Sequence, residues 1–187
     1  MNIDRDKDAL LVVDVQNDFC PGGALAVPDG DKVVPVINFL EPLFGKIFTT
    51  QDWHPPNHVS FKTRGGDWPP HCVAGTKGAE FHPALNTGKA VHILKGDRPD
   101  EEAYSGFQGT DLADRLKNAG VQRIFVCGLA TDYCVRATAL DGLKSGFRVV
   151  VVTDAVRGVE VKRGDSEAAL TEMKDAGAIL AESGSLG

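Results

Sequence analysis

No apolar run in the 187-residue chain approaches the length of about 20 residues that a membrane-spanning helix needs. Basic residues are in deficit: 20 Lys and Arg against 26 Asp and Glu give a net charge of -6. A surface of that sign does not attract phosphate backbones, which disfavours a nucleic-acid partner. Cysteine is sparse. Cys20, Cys72, Cys127 and Cys134 show no C-x-x-C spacing, and the opening stretch from Met1 to Asp8 mixes both charge signs, unlike a secretory signal. The four are therefore expected to be cytosolic thiols, not a disulfide framework. Internal repeats, low-complexity tracts and charged tails are also missing. What is present is ordinary globular usage, 42% hydrophobic and 25% charged, in a length that fits one domain over residues 1–187.

Apolar runs alternate with amphipathic segments. Ala9–Val13 is a continuous aliphatic run, as expected of a strand covered on both faces. Lys46–Gln51, Ala90–Leu94, Arg123–Cys127, Arg148–Val152 and Ala178–Ala181 supply five more strand candidates. Between them, Asp111–Ala119, Asp132–Ser145 and Asp165–Ala176 carry one-face apolar spacing, the last two with Asp caps and with stops at Gly146 and Gly177. This alternation predicts a three-layer, Rossmann-like α/β domain: a mostly parallel six-stranded sheet with helices on both faces. The stretch from Asp52 to Phe107 breaks the rhythm, and Trp53, Phe61, Trp68 and Phe81 within it predict a packed segment, not a linker.

Ligands of open parallel sheets bind beyond the carboxyl ends of the strands. The residues that follow the predicted strands are Asp14, Asp52 with His54, Lys95, the segment Gly128–Cys134 (GLATDYC), and Asp154. A carboxylate, an amine and a thiol are thus predicted to meet at one edge. Cys134 falls where a loop becomes a helix, a position that lowers a thiol's pKa and offers free N–H donors to an oxyanion. Asp14 is the nearest proton acceptor by topology, and Lys95 can keep it ionised or help hold substrate. Taken singly, a cysteine is most often a small buried hydrophobe and a lysine a solvated side chain. The coincidence at three strand ends is what points to catalysis. Separately, Asp52 and His54 lie two residues apart and His71 follows Trp68–Pro69–Pro70. One carboxylate and two imidazoles suit zinc, iron or manganese and leave positions open for water or substrate. His58 is a fourth-ligand or supporting candidate, Ser60 a further one through a water, and Cys72 is preferred as packing. His82, His92, Cys20 and Cys127 carry no such signal.

These residues resemble the nicotinamidase branch of the isochorismatase-like cysteine hydrolases, over nearly the whole chain. The matching pieces are Val13–Val27 (VDVQNDFCPGGALAV), Gln51–Phe61 (QDWHPPNHVSF), Trp68–Gly75 (WPPHCVAG), Lys95–Gly96 with Tyr104–Phe107 (YSGF), and Cys127–Asp141 (CGLATDYCVRATALD). The resemblance implies hydrolysis of a carboxamide, nicotinamide first and pyrazinamide besides, to the acid and ammonia in NAD salvage. It makes Asp14, Lys95 and Cys134 the catalytic triad, and Asp52, His54 and His71 the ligands of a divalent metal, zinc foremost. It also implies a cis peptide at Leu129–Ala130, an oxyanion hole from the Ala130 and Cys134 N–H groups, and a ring-binding wall from Phe19, Trp68 and Tyr104. Related hydrolases act on ureido compounds or isochorismate. A metal-binding or thiol-redox protein without hydrolase activity is the alternative from outside the enzymes, but it leaves Asp14 and Lys95 without a task. The sequence leaves the oligomeric state, monomer or homo-oligomer, open.

Overall fold

The computed structural model describes residues 1–187. Its centre is one six-stranded, all-parallel sheet. The strands are β1 (Asp8–Val13), β2 (Ile47–Asp52), β3 (Val91–Lys95), β4 (Arg123–Leu129), β5 (Arg148–Arg157) and β6 (Ile179–Ala181), in the order β3-β2-β1-β4-β5-β6. Every residue of β1 and β2 is buried. That explains why β1 reads as an unbroken aliphatic run: both faces of a central parallel strand are covered.

Alternate residues of the strands feed two separate cores. On one face Leu10, Val12, Phe125, Cys127, Val150 and Val152 pack with Val33, Val34, Ile37 and Leu40 of helix α1 (Val33–Leu40). On the other, Ala9, Leu11, Val13, Ile124, Val126, Val149 and Val151 pack under α2 (Leu112–Asn118), α3 (Arg136–Lys144) and α4 (Asp165–Asp175). The predicted three layers are therefore present. Helix α1 was not among the elements expected from sequence. It is short and carries Pro35 in its first turn, a position where proline is tolerated because the N–H there has no helical partner. No helix is long and apolar enough to cross a membrane.

Two expectations about local structure need correction. Neither Asp132 nor Asp165 caps its helix with its side chain. Thr131–Val135 instead winds as a π-helical turn that leads into α3, a distortion that recurs at functional sites. Asp154 does not follow β5 but lies inside it, because the strand runs on to Arg157. Its carboxylate accepts bonds from the Ser183 backbone N–H (2.8 Å) and hydroxyl, so it belongs to the β6 edge and not to the strand-end cluster. The Leu129–Ala130 peptide bond is cis.

The strand order reverses between β1 and β4, the crevice where open α/β sheets place ligands. Asp14 leaves β1 on one side of that crevice and Cys134 follows β4 on the other. Their close approach requires Gly128. At its φ of +108° a Cβ would stand 2.1 Å from the Val13 carbonyl oxygen, so any side chain would push β4 away from β1.

Candidate active site

The parallel register sets Val13 opposite Thr50 and Asp52 opposite Lys95. These pairings bring three strand ends to one point. Asp14, fully buried, accepts a bond from the Thr50 hydroxyl at 2.7 Å and pairs with the Lys95 ammonium at 2.9 Å. Lys95, also buried, pairs as well with Asp52, donates to the Ala103 carbonyl at 3.0 Å, and lies 3.6 Å from Cys134 Sγ. Asp14, Asp52 and Cys134 each bring a polar atom within 4.8 Å of the others. One ammonium thus serves two carboxylates and a thiol.

The electrostatics follow from burial. Desolvation pushes the Cys134 thiol well above its ordinary value; Lys95 pulls it down, and Asp14 and Asp52 push it up again. The lowering expected from a helix start is overridden because the thiol lies in the interior, where a thiolate loses its hydration. Asp14 is raised as well, by burial first, against the pull of Lys95 and with a further push from Asp52. Burial works against the Lys95 charge, but Asp14 and Asp52 overturn it and hold the amine well above its usual range. At rest the thiol therefore keeps its proton, next to a carboxylate more basic than usual.

A second group adjoins the first. Single ligand atoms of Asp52, His54 and His71, all buried, lie within 4.8 Å of one another. His54 Nδ1 is 2.8 Å from the Gly96 carbonyl oxygen and His71 Nδ1 is 2.8 Å from that of Pro69. Nδ1–H donation to those carbonyls leaves each Nε2 lone pair free to ligate, the usual support for a metal-binding imidazole. Gly96 is suited to its part: at φ +65° a Cβ would stand 2.5 Å from the His54 ring. Lys95 holds Asp52 well below the usual carboxylate range, despite its burial. A carboxylate held ionised with two oriented imidazoles is a donor set that fits a divalent transition metal.

His58 lies outside that triangle. Its Nδ1 is 2.7 Å from the Ser60 hydroxyl and its Nε2 is 3.0 Å from the Glu101 carbonyl oxygen, so both nitrogens are engaged. Its ring stacks on that of His54, with the centroids 4.0 Å apart. Burial, with His54 alongside, lowers its pKa to about 4, so it stacks as a neutral ring. Cys72 is buried packing, His92 meets the Thr49 hydroxyl, and His82 accepts a local backbone N–H.

Both groups open into one cleft with an empty volume of ≈ 430 Å³, its mouth included. Phe19, Trp68, Tyr104, Ala130 and Cys134 line it, as do Asp52, His54 and His71. The Trp68 indole N–H donates to the Tyr104 hydroxyl at 3.0 Å, locking two walls together. Leu25, Glu102, Tyr133 and Val159 also line the cleft and were not anticipated. Gln16 was missed too: its side-chain amide donates to the Asp52 carbonyl and accepts the Asp52 N–H, both at 2.8 Å, fixing the backbone of the shared carboxylate. Thr50 was legible in principle, since a polar residue in a buried strand needs a partner. Val159 and Gln16 have no local signal, because their contacts are distant in sequence.

An all-parallel sheet with acid, amine and thiol at its switch point defines the isochorismatase-like α/β class. The chain belongs to that family: the isochorismatase domain matches residues 8–185. Within the family, several of its relatives are nicotinamidases. It is 42% identical over 198 residues to the nicotinamidase of Escherichia coli K12, covering 92% of this chain and 93% of that one. A crystal structure of the pyrazinamidase of Pyrococcus horikoshii in complex with zinc superposes with a TM-score of 0.88 at 53% identity, over 94% of this chain and 99% of that chain. The Leishmania infantum protein PnC1 in complex with nicotinate gives a TM-score of 0.95 at 40% identity, over 100% and 98%.

Proposed function

We propose that this single-domain protein is a cytoplasmic nicotinamidase: it hydrolyses nicotinamide to nicotinic acid and ammonia in NAD salvage, and takes pyrazinamide as well. The observation that carries the reading is the pairing of two chemistries in one cleft, a thiol with its acid and amine beside a three-ligand donor set. A flat ring with a carboxamide at one point and a nitrogen at another offers each its own partner.

Asp14 takes the Cys134 proton as the thiol attacks the amide carbon. The net charge of the buried cluster is unchanged in that transfer, and Lys95 stays beside both groups. The Ala130 and Cys134 N–H groups receive the oxyanion. Asp14 then returns its proton to the departing amine, releasing ammonia and leaving an acyl thioester on Cys134. Water, deprotonated by Asp14, attacks the thioester; nicotinic acid leaves and the thiol regains its proton. Asp52, His54 and His71 would hold the metal, zinc foremost and iron or manganese as alternatives. When bound it supplies a Lewis-acidic position for the ring nitrogen and so orients the substrate. Phe19, Trp68 and Tyr104 wall the ring.

The test is ammonia release from nicotinamide, with and without chelator. Turnover that chelation suppresses supports the assignment, and a metal-loaded protein that releases no ammonia refutes it.

A further inference from the structure

Val159, in the segment between β5 and α4, lines the cleft and packs on the core beside it. One side chain ties that segment down. Asp132 accepts the Val159 N–H on one carboxylate oxygen and the Glu160 N–H on the other, both at 2.9 Å. Asp132 is 6% exposed, so it commits a buried carboxylate to two neutral donors. The segment is tied at its other end as well: the Glu160 carboxylate accepts the Gly164 and Ser166 N–H groups at 2.8 Å each. Gly158 completes the fit, because a Cβ there would stand 1.8 Å from Ser166 Oγ and 3.2 Å from the Asp132 carboxylate.

Asp132 stands in the same π-helical turn as Cys134. The clamp therefore fixes a cleft wall relative to the nucleophile, across 27 residues of sequence. Resting on the nicotinamidase reading, we infer that Asp132 is a positioning residue that holds Val159 as a specificity wall. Amides of unsubstituted six-membered aromatic rings fit beneath it, and ring-methylated ones are turned away. An asparagine at 132 keeps the shape but offers one acceptor for two donors and sets its own NH2 against the second N–H, so the segment loosens.

The experiment measures kcat and KM for nicotinamide and for its ring-methylated isomers, in wild type, Val159→Ala and Asp132→Asn. One methyl group in an apolar pocket changes discrimination by about 10- to 200-fold. Val159→Ala should therefore raise the kcat/KM of at least one methylated isomer, relative to nicotinamide, by about tenfold or more. Asp132→Asn should raise the same ratio and increase KM for nicotinamide more than it lowers kcat. A merely structural Asp132 would depress kcat on all amides in parallel and leave the ratio alone. Backbone hydrogen exchange at Val159 and Glu160 reads the clamp without any substrate: protection is lost in Asp132→Asn, and unchanged protection overturns the clamp. Wild type that fails on nicotinamide refutes the functional reading. Wild type that succeeds, with ratios unmoved in Val159→Ala, refutes the wall alone. If Asp132→Asn does not fold, Val159→Ala still decides.

Discussion

Replacing Asp14 by Asn separates the two tasks that the buried cluster gives to one carboxylate. The substitution is nearly isosteric. Thr50 can still donate to the amide oxygen in place of the carboxylate it now meets at 2.7 Å, and Lys95 keeps Asp52 and the Ala103 carbonyl as partners. One hydrogen bond to a charged group is lost, so the stability cost should be about 1.5–3 kcal/mol. Turnover should suffer far more. Without a proton acceptor the thiol cannot be activated in step with attack, nor can the amine be protonated on leaving. A positioned general base contributes about 10²–10⁴-fold, or roughly 3–5 kcal/mol of barrier at 1.36 kcal/mol per decade.

Alkylation of Cys134 should respond in the opposite sense. Asp14 raises the thiol both by its charge and by accepting a hydrogen bond, while Lys95 lowers it. With Asp14 neutral, the opposition to a thiolate weakens and the lowering by Lys95 remains, so the thiol's pKa falls. Stopped-flow ammonia release and iodoacetamide labelling across pH, on the same preparations, give both quantities. Wild-type kcat/KM should fall as pH drops through the raised pKa of Asp14, because the base must be ionised, and this acid limb should vanish from the residual activity of the variant. Turnover within tenfold of wild type, or a thiol pKa higher than in wild type, would refute the argument.

Cys134→Ala should abolish ammonia release while the sheet and metal content persist, since an alanine in that buried site removes only the Sγ atom; measurable burst or steady-state turnover would show that another nucleophile acts. An aldehyde analogue should label Cys134 and spare Cys20, Cys72 and Cys127: burial raises all four thiols, but of the four only Cys134 lines the cleft. Stripping the metal should leave the thermal unfolding midpoint within a few degrees, because the core lies under the sheet faces and not at the ligands; a collapse of the fold on chelation would make the metal structural. Cys134 should stay alkylatable in the stripped protein but react more slowly. The sequence alone suggests that triad and ligands are separate sets, whereas Lys95 pairs with both Asp14 and Asp52, so an unbound Asp52 presents its full charge to the thiol.

The strands were legible because a parallel sheet buried on both faces leaves aliphatic runs that local composition displays, and Ala9–Val13 and Arg148–Val152 are such runs. The candidate chemistry was legible for a related reason: strand ends at a sheet's carboxyl edge share a place, so Asp14, Lys95 and Cys134 could be brought together from topology alone. Helix α1 escaped because a proline and a short apolar face carry little periodic signal. What only the tertiary structure decided is how each charge is balanced. Whether Lys95 serves one carboxylate or two, whether His58 ligates or stacks, and whether Asp132 caps its own turn or clamps a segment 27 residues away depends on distances across the fold. Burial then sets the sign of each shift: the Cys134 thiol, expected to be lowered at a helix start, is raised because its surroundings exclude the water that a thiolate needs.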